Sequence, residues 1–335
     1  MNHLRSTKDD RRADITWIVT DGTVGMEAQG IAVAEAIGLR YSLKRVQVTG
    51  PLRWLPKQMQ IYVPSARYLR SVASNESLGP PWPRLILSVG QRSVATALAL
   101  KRISEPQALA VHIQNPSVPL RHFDWIVAPV HDAVSGSNVL ATMGAVHRIT
   151  PARLSEAKGH FSDIVEGLPH PRIAVLLGGR SRAFEFTSDD AAQFGSSLAL
   201  LASASLGSLL VTPSQRTGPE ALAAFSRNIA NIPHFIWNGT GANPYLALLA
   251  FADAIVVTGD SVNMVTEAVG TGKPVYIKSL RGKSRRNERF HSMMRKAGAT
   301  RPFAGRLESW SYAPINDTEL VATVIRRALG LDQLA

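Results

Sequence analysis

The sequence predicts an α/β protein in which two domains, each a parallel β-sheet covered by helices, face a cleft. One observation is a repeated opening: a short β-branched run, a glycine-containing turn and a helical pattern begin at residue 15 and again at residue 172. The other is the length of 335 residues, which suits two domains of ordinary size. A strand, a glycine-rich loop and a helix in this order start a doubly wound domain, so we expect two Rossmann-like domains.

The first domain is expected at residues 15–166, after a flexible N-terminus at 1–14. Its opening strand, 15–19, leads through TDGTVG into a helix at 26–37, where apolar residues recur at helical spacing. Runs typical of buried strands follow, with helical patterns between most of them. These further strands are predicted at 42–48, 84–89, 108–113 and 123–127.

The second domain is expected at residues 167–335. Its opening strand, 172–177, is followed by the loop GGRSRAFEFTSDD and by a helix at 190–204. The segment 165–172 carries two prolines and a glycine, which are typical of a linker. A last helix at 317–329 closes the chain. The further strands are predicted at 207–212, 234–237, 253–258 and 274–277.

The residue content excludes several kinds of site. The chain has no cysteine, so disulfides, thiolate zinc sites, iron–sulfur clusters and cysteine nucleophiles are excluded. It also lacks the patterns of phosphate loops, dinucleotide-binding turns, serine hydrolases, short-chain reductases and simple metal clamps. We therefore expect no metal and no cofactor. Hydrophobic residues make up 45% of the chain, which predicts folded domains with real cores.

The strongest motif is TGDSVNMVTEAVGTGKP at residues 258–274, directly after the strand DAIVV. Ligands of open sheets bind at the carboxyl ends of such strands. Asp260 or Ser261 can cap the next helix, whose free N–H groups attract a phosphate, and Glu267 can accept hydrogen bonds from a ribose. An ordinary capped helix with a solvated glutamate is the alternative. The predicted nucleotide-binding residues here are Thr258, Gly259, Asp260, Ser261, Asn263, Met264 and Glu267.

A second phosphate-binding element is predicted where the second domain begins. Two glycines expose N–H groups at the end of the opening strand, and two arginines can neutralise a diphosphate without a metal. The alternative is a tight turn with two exposed arginines. The predicted contacts are Gly178, Gly179, Arg180, Ser181 and Arg182, together with Asn238 after the strand HFIW.

Five segments, spread over most of the chain, are distinctive in combination. They are DGTVGMEAQGIAVAEAIG (21–38), HIQNPSVPLRHFDWIVAPVHD (112–132), VLLGGRSRAFEF (175–186), VVTGDSVNMVTEAVGTGKPVYI (256–277) and RFHSMMRKAG (289–298). Together they resemble the mitochondrial-fission (elongated mitochondria) protein family, which has plant and bacterial members. The donor-side motif is similar to that of glycosyltransferases with two Rossmann-like domains, the GT-B fold. The resemblance implies a sugar transferase, and the plant members imply a role in organelle fission.

The resemblance to GT-B enzymes also implies an acceptor site around the first turn, TDGTVGMEAQG. Many such enzymes carry a histidine after the second glycine of this turn, whereas Met26 follows Gly25 here. Asp21 or Glu27 would then deprotonate the acceptor hydroxyl for direct attack on the anomeric carbon. The alternative is that Asp21 shapes the turn and Glu27 complements the helix N-terminus. The predicted acceptor-binding residues are Gly22, Gly25, His112, Gln114 and Asn115.

The net charge of +12 predicts an anionic partner. Residues 36–75 contain seven cationic residues and no acid, interleaved with aromatic residues such as Trp54 and Tyr62, which suits an anionic membrane surface. Residues 281–296 contain seven cationic residues and one glutamate. Solvated surface is the alternative for most of these charges. No nucleic acid is expected, since the basic residues fall in two blocks without a known binding motif.

Together with these patterns, the resemblance implies metal-independent glycosyl transfer from a nucleotide-sugar donor to a lipid-linked or other membrane-associated acceptor. The sequence has neither a secretory signal nor a stretch apolar enough to span a membrane, so we expect a cytoplasmic protein, peripheral on the inner membrane. The alternative function is a non-catalytic membrane-associated scaffold or fission-type factor that retains the fold. The two differ in whether nucleotide binding depends on Glu267.

Overall fold

The computed structural model describes residues 15–331, so the flexible N-terminus expected at 1–14 lies outside the described residues. The chain divides into two compact units. Unit 1 runs to Arg148 and resumes at Asp317, and unit 2 comprises Ile149–Asn316. Each unit contains a largely parallel sheet with helices between its strands, which confirms the predicted pair of Rossmann-like domains.

The described residues of unit 1 form seven strands in one sheet. They are β1 (Ile15–Thr20), β2 (Arg40–Val48), β3 (Val72–Ser74), β4 (Leu85–Val89), β5 (Leu109–Ile113), β6 (Trp125–Pro129) and β7 (Val139–Thr142). Their order is β3-β2-β1-β4-β5-β6-β7, and β3 is the antiparallel strand. The five predicted strands are confirmed within two residues at each end. The sequence analysis missed β3 and β7, which are too short for a period of two to show.

Four helices of unit 1 lie between its strands. They are α1 (Val24–Ile37), α2 (Lys57–Gln60), α3 (Ser65–Leu69) and α4 (Val94–Ile103). Successive side chains of a strand point to opposite faces of the sheet. Trp17 and Val19 therefore pack in one apolar cluster with residues of α3 and α4, whereas Ile18 packs in another with residues of α1. The sheet is thus buried on both faces, as a parallel sheet requires.

Unit 2 contains a six-stranded parallel sheet and a separate two-stranded ribbon. The sheet consists of β8 (Arg172–Leu177), β10 (Ser208–Pro213), β11 (His234–Ile236), β12 (Ala254–Thr258), β13 (Val275–Lys278) and β15 (Thr300–Pro302). Its order is β11-β10-β8-β12-β13-β15. The ribbon pairs β9 (Phe184–Glu185) with β14 (Arg281–Gly282) in antiparallel orientation. All five strands predicted for this domain are present, and the ribbon and β15 were not predicted.

Six helices belong to unit 2. They are α5 (Pro151–His160), α6 (Ser188–Ala204), α7 (Pro219–Ile229), α8 (Tyr245–Phe251), α9 (Val262–Val269) and α10 (Arg285–Lys296). The start of α6 has a capping box, in which Thr187 and Asp190 satisfy each other's backbone N–H groups. The amphipathic α10 buries Phe290 and Met294 and leaves most of its charged residues exposed.

The division between the units differs from the predicted boundary at 166/167. The segment after Arg148 belongs to unit 2, where Val165 packs against Leu210 and Leu248. The last helix, α11 (Thr318–Ala328), belongs to unit 1 rather than to the second domain. Its buried Val321 and Ile325 pack in the cluster that contains Ile18 and α1. The apolar stripe of α11 predicts a helix but does not indicate which domain the helix packs against. The sequence analysis therefore assigned α11 to the domain that precedes it in the chain.

Candidate functional site

The strand ends of unit 2 are held together by the glycine turn after β8. The N–H of Gly178 donates to Oγ1 of Thr258 (2.7 Å), and the N–H of Gly179 donates to Oδ2 of Asp260 (3.2 Å). A Cβ at Gly178 would lie 2.2 Å from Oδ1 of Asp260, so glycine is needed for the two turns to approach this closely. The expectation that these N–H groups face a ligand is corrected, because protein oxygens already accept from both.

Asp260 is the buried acid of this sheet edge. Its side chain is fully buried, and its Oδ2 lies 2.8 Å from Nη2 of Arg216. Its Oδ1 accepts no hydrogen bond from any residue between 15 and 331. Arg216 follows β10, and the sequence analysis did not single it out. A basic residue just beyond the carboxyl end of a predicted strand was the available signal.

Helix α10 clamps the turn that carries Asp260. Nδ2 of Asn287 donates to the carbonyl oxygens of Gly259 (3.3 Å) and Asp260 (3.2 Å), and Nε2 of His291 donates to that of Gly259 (2.7 Å). Burial lowers the pKa of His291, which keeps its ring neutral. Both residues lie within the basic stretch 281–296, where the surrounding cations concealed their structural role from sequence analysis.

The N-terminus of α9 lies directly after this turn. Oγ of Ser261 accepts from the N–H of Met264 (3.4 Å), so Ser261 rather than Asp260 is the N-cap. Asn263 and Met264, both half-buried, occupy the first turn. The first N–H groups of a helix lack helical acceptors and form its positive end, so this position can attract an anion.

Glu267 lies further along α9 and is half-buried. Its Oε2 accepts a hydrogen bond of 2.6 Å from the hydroxyl of Tyr245 on α8. Burial raises the pKa of Glu267 to about 7, although the hydrogen bond from Tyr245 favours its charged form. Burial and the nearby carboxylate raise the pKa of Tyr245 well above its ordinary value, so it remains a donor. The alternative of a solvated glutamate is therefore wrong, because Tyr245, a residue that sequence analysis missed, holds Glu267 in position.

The loop after the glycine turn presents two arginines. Arg180 and Arg182 are exposed, and neither forms an ion pair with an acid among residues 15–331. Oγ of Ser181 accepts from the N–H groups of Ala183 (3.3 Å) and Phe184 (3.2 Å), which shapes the loop before β9. The structure therefore leaves the two guanidinium groups available to an anion.

Asn238 lies apart from the other predicted nucleotide-binding residues. It follows β11, the edge strand, which lies three strand positions or about 14 Å from β12. Its Oδ1 accepts from the N–H (3.0 Å) and the hydroxyl (2.7 Å) of Thr240, as in an ordinary exposed turn.

In unit 1, the two candidate bases are each paired with an arginine. Oδ1 of Asp21 accepts from the N–H of Thr23 (3.1 Å), and its Oδ2 lies 3.2 Å from Nη1 of Arg92. Although partial burial opposes the shift, Thr23 and Arg92 hold the pKa of Asp21 below its ordinary value. Glu27 accepts from Nε (2.6 Å) and Nη2 (3.0 Å) of Arg45. The lowered pKa of Asp21 makes it a weaker base, and the carboxylate of Glu27 is already engaged by Arg45.

The two glycines of the first turn have different roles. Gly22 has a φ of +85°, which a side chain would strain, and a Cβ added there would lie within 4.0 Å of both Arg45 and Glu27. Gly25 lies inside α1, where its carbonyl oxygen accepts from Nε2 of Gln29 (3.2 Å). The predicted glycine-rich turn therefore ends at Thr23, two residues earlier than the sequence indicates.

The predicted accessibility of His112 is corrected. His112 lies on the same face of β5 as Ala110, is fully buried beside Phe123, and shares a hydrogen bond of 2.7 Å with Ser88 through Nδ1. Burial lowers its pKa to about 3, so the ring is neutral. The period of two along β5 turns this side chain into the apolar layer and away from the strand end.

Gln114 and Asn115, by contrast, lie at the end of β5 and are half-buried. Nε2 of Gln114 contacts the Sδ of Met26 (3.1 Å), and Oδ1 of Asn115 accepts from the N–H of Ser117 (2.9 Å). The structure therefore brings Gln114 next to the start of α1, as expected if both lie at the carboxyl edge of the unit-1 sheet.

Unit 1 also exposes a basic aromatic patch, defined here as the exposed large and cationic side chains of residues 50–70. They are Arg53, Trp54, Lys57, Met59, Tyr62, Arg67 and Arg70. Trp54 is 78% exposed and Tyr62 71%, which is unusual for aromatic side chains, and the Arg53 guanidinium lies 4.6 Å from the Trp54 ring centroid. Among the helices that residues 15–331 form, none is both long and apolar enough to cross a bilayer.

The family comparison matches most of the chain. The family model described as mitochondrial fission ELM1 matches residues 24–329. The curated mitochondrial fission protein ELM1 of Arabidopsis thaliana is 29% identical, over 93% of this chain and 90% of the relative.

Solved structures share the fold at low identity. A UDP-GlcNAc 2-epimerase from Methanocaldococcus jannaschii is 12% identical with a TM-score of 0.56, and the match covers 94% of this chain and 99% of that one. A variant of Os79 from O. sativa in complex with UDP is 10% identical with a TM-score of 0.54, over 96% and 92% of the two chains. These neighbours have the GT-B fold, which this chain therefore shares.

Proposed function

The chain belongs to the mitochondrial fission ELM1 family, and from that premise we propose that it is a glycosyltransferase whose nucleotide-sugar donor binds at the carboxyl edge of the unit-2 sheet. One observation carries the proposal: the Ser261-capped N-terminus of α9 and the positioned carboxylate of Glu267 lie on one short helix at the end of β12. The first feature suits a pyrophosphate and the second suits the hydroxyls of a ribose.

The arginines of the β8 loop would stabilise the leaving group. When the bond to the sugar breaks, negative charge builds up on the diphosphate, and exposed Arg180 and Arg182 are able to pair with it. This charge stabilisation requires no metal ion. Gly178 and Gly179 contribute by shape, because their lack of side chains lets β8 approach Asp260. Asp260 and Arg216 hold the turn that aims α9.

The acceptor would bind at the carboxyl edge of the unit-1 sheet. Asp21 and Glu27 remain the candidate bases, and Gly22, Gln114 and Asn115 remain the proposed acceptor contacts. Each carboxylate must exchange its arginine contact for the acceptor hydroxyl before it can take a proton. Direct attack of that hydroxyl on the anomeric carbon would then release the nucleoside diphosphate.

The donor site is tested by thermal stabilisation with UDP, GDP, ADP, CMP and TDP. UDP is the first probe, because the structural neighbours include a UDP-GlcNAc 2-epimerase and a protein in complex with UDP. A nucleotide at 100 times its Kd adds about 2.7 kcal/mol to stability. We expect one nucleotide to stabilise the parent and the Glu220→Ala control, whose exposed glutamate lies on α7, but not Glu267→Ala. No response to any nucleotide would contradict the proposal.

The acceptor is further proposed to be membrane-associated, with the basic aromatic patch as the contact with an anionic surface. Amphipathic aromatic rings and unpaired cations suit the interface of an anionic bilayer. We expect the protein to sediment with vesicles that contain phosphatidylglycerol but not with pure phosphatidylcholine. Replacing Trp54, Met59 and Tyr62 with Ser should abolish sedimentation. Replacing Leu200 and Leu206, exposed apolar residues of unit 2, should leave it unchanged.

A non-catalytic scaffold is the second candidate function. The observation in its favour is that both candidate bases are held in ion pairs, while His112 is buried away from the surface. A scaffold would sediment with anionic vesicles whether or not Glu267 is present, and it would release no UDP from a UDP-sugar. Release of UDP in the presence of membrane lipids, lost in Glu267→Ala but kept in Glu220→Ala, would exclude the scaffold.

A further inference from the structure

A cavity of about 250 Å³ lies beside the Gly259 turn of unit 2. Its walls come from the loop after β13, from α10 and from Phe184 and Gly282 of the two-stranded ribbon. Pockets that enclose a whole drug-sized ligand occupy about 300–1,000 Å³, so this one suits a fragment such as a single sugar ring. The rest of a nucleotide-sugar would have to lie outside it, along the adjacent α9.

The lining of the cavity carries more positive than negative charge. Lys283 and Arg295 line it, are exposed, and form no ion pair with an acid among residues 15–331. Arg301 also lines the cavity, but its guanidinium is paired with Glu308. Glu288 is the acid among the lining residues. The N-terminus of α10 opens on the same space through Ser284 and adds the positive end of a helix.

One residue that lines the cavity, His291, has a buried acceptor without a donor among residues 15–331. His291 uses Nε2 to donate to the Gly259 carbonyl oxygen, so the neutral ring carries its lone pair on Nδ1. That Nδ1 is buried and meets no hydrogen-bond donor among residues 15–331. A buried acceptor of this kind is satisfied by a ligand group that donates, such as a sugar hydroxyl.

We propose that this cavity binds the sugar of the donor and that this sugar carries a carboxylate. The carboxylate pairs with Lys283 and Arg295, and a ring hydroxyl donates to Nδ1 of His291. A neutral hexose offers the hydroxyl but leaves the two cations without a counter-charge. The inference rests on the proposed donor site, because it places the nucleotide on α9 and the sugar next to it.

The test compares two donors that differ only at C6 of the sugar. Calorimetric titration gives Kd values for UDP, UDP-glucose and UDP-glucuronate with the parent protein, and with Lys283→Gln/Arg295→Gln. The matched control is Arg289→Gln/Lys296→Gln, which removes two exposed cations of α10 that do not line the cavity. We expect UDP-glucuronate to bind the parent and the control about tenfold more tightly than UDP-glucose, as one charge-assisted contact would give.

The cavity variant should bind both sugars alike and should bind UDP as the parent does. Equal affinities for the two sugars in the parent, with UDP still bound, would overturn the acidic-sugar inference and leave the donor site intact. A preference for UDP-glucuronate that survives in the cavity variant would also overturn it. If UDP did not bind at all, the result would contradict the proposed donor site and, with it, the acidic-sugar inference.

Discussion

The carboxyl edges of the two sheets both carry acidic residues, but the surroundings of those residues differ. In unit 1, Asp21 pairs with Arg92, whose side chain is 73% exposed, and Glu27 pairs with Arg45, which is 52% exposed. In unit 2, Asp260 is completely buried between the glycine turn and Arg216. Exposed ion pairs contribute little to stability, whereas a buried carboxylate requires partners in a definite geometry.

This difference indicates that the two edges suit different tasks. The unit-2 edge is preorganised, because Thr258, Asp260, Asn287 and His291 hold its loops through hydrogen bonds between distant segments. A preorganised edge suits a ligand with a constant part, such as a nucleotide. The unit-1 edge can exchange its ion pairs for ligand contacts at little cost, which suits a variable acceptor. The following predictions test this contrast, from the largest expected effect to the smallest.

The largest expected effect is the loss of stability at acid pH that results from the buried His112. The pKa of His112 is about 3 in the folded protein and near 6.5 in an unfolded chain, so the unfolded state binds a proton first. The stability from this residue is present above pH 6.5 and is lost as the pH falls towards 3, by on the order of 5 kcal/mol in full. In urea unfolding from pH 7 to pH 4, His112→Gln should reduce the fall in the free energy of unfolding with decreasing pH. The exposed His160→Gln should not, and equal slopes in the two variants would contradict the assignment.

Gly179→Ala tests how tightly the unit-2 edge is packed. A Cβ at this position would lie 2.0 Å from the carbonyl oxygen of Arg216, so the turns after β8 and β10 must separate. We expect the free energy of unfolding to fall by about 3 kcal/mol or more. Gly159→Ala, near the end of α5 with no atom close to its Cβ, should instead raise it by about 0.5–1 kcal/mol. If urea unfolding gave similar changes in the free energy of unfolding for both variants, the turns at the unit-2 edge would be able to move apart without cost.

For Glu267 we expect the opposite pH dependence, in which the free energy of unfolding decreases as the pH rises. Its folded pKa of about 7 exceeds its ordinary value of 4.5, so the folded state favours the protonated form. The stability from this group is fully present below pH 4.5 and is lost as the pH rises through 7, by up to about 3 kcal/mol. Glu267→Gln should remove this decline in urea unfolding, whereas Glu220→Gln, on the exposed start of α7, should keep it. A decline that persists in Glu267→Gln would have to come from another group.

The smallest effect compares the two aspartates directly. Asp260→Asn should lower the free energy of unfolding by about 2 kcal/mol, less than for a fully buried pair because Arg216 is 39% exposed. Asp21→Asn should lower it by less than about 1 kcal/mol, since its ion pair is largely solvated and its bond from Thr23 survives. Equal losses in urea unfolding would remove the contrast between the two edges.

Sequence patterns were sufficient for the elements whose cause is local. The runs LILSV of β4 and AIVVT of β12 are buried along their whole length, and such runs are visible as apolar β-branched segments. A cap at Asp260 or Ser261 and the position of Glu267 on α9 were also visible, because both follow from residues at one helix, although the structure was needed to choose Ser261. Strand β15 and the β9–β14 ribbon were not, since two or three residues become strands only when a distant segment pairs with them.

The acid–base state of the site was not visible either. Tyr245 reaches Glu267 across 22 positions of sequence, and Arg216 meets Asp260 across 44, so no local pattern connects either pair. His112 looked accessible because it ends a strand in the sequence, but the pleat of β5 turns it into the core.

The sequence by itself determined the fold class, ten of the strands, a cap at the start of α9 and the family resemblance. Each of these depends on periodicity, capping and motifs that neighbouring residues carry. The tertiary structure decided which backbone N–H groups remain free, which carboxylates are buried, and which unit receives α11 and the segment after Arg148. The physical reason is that burial and charge pairing depend on residues far apart in the chain, and these set both the pKa values and the available hydrogen bonds of the site.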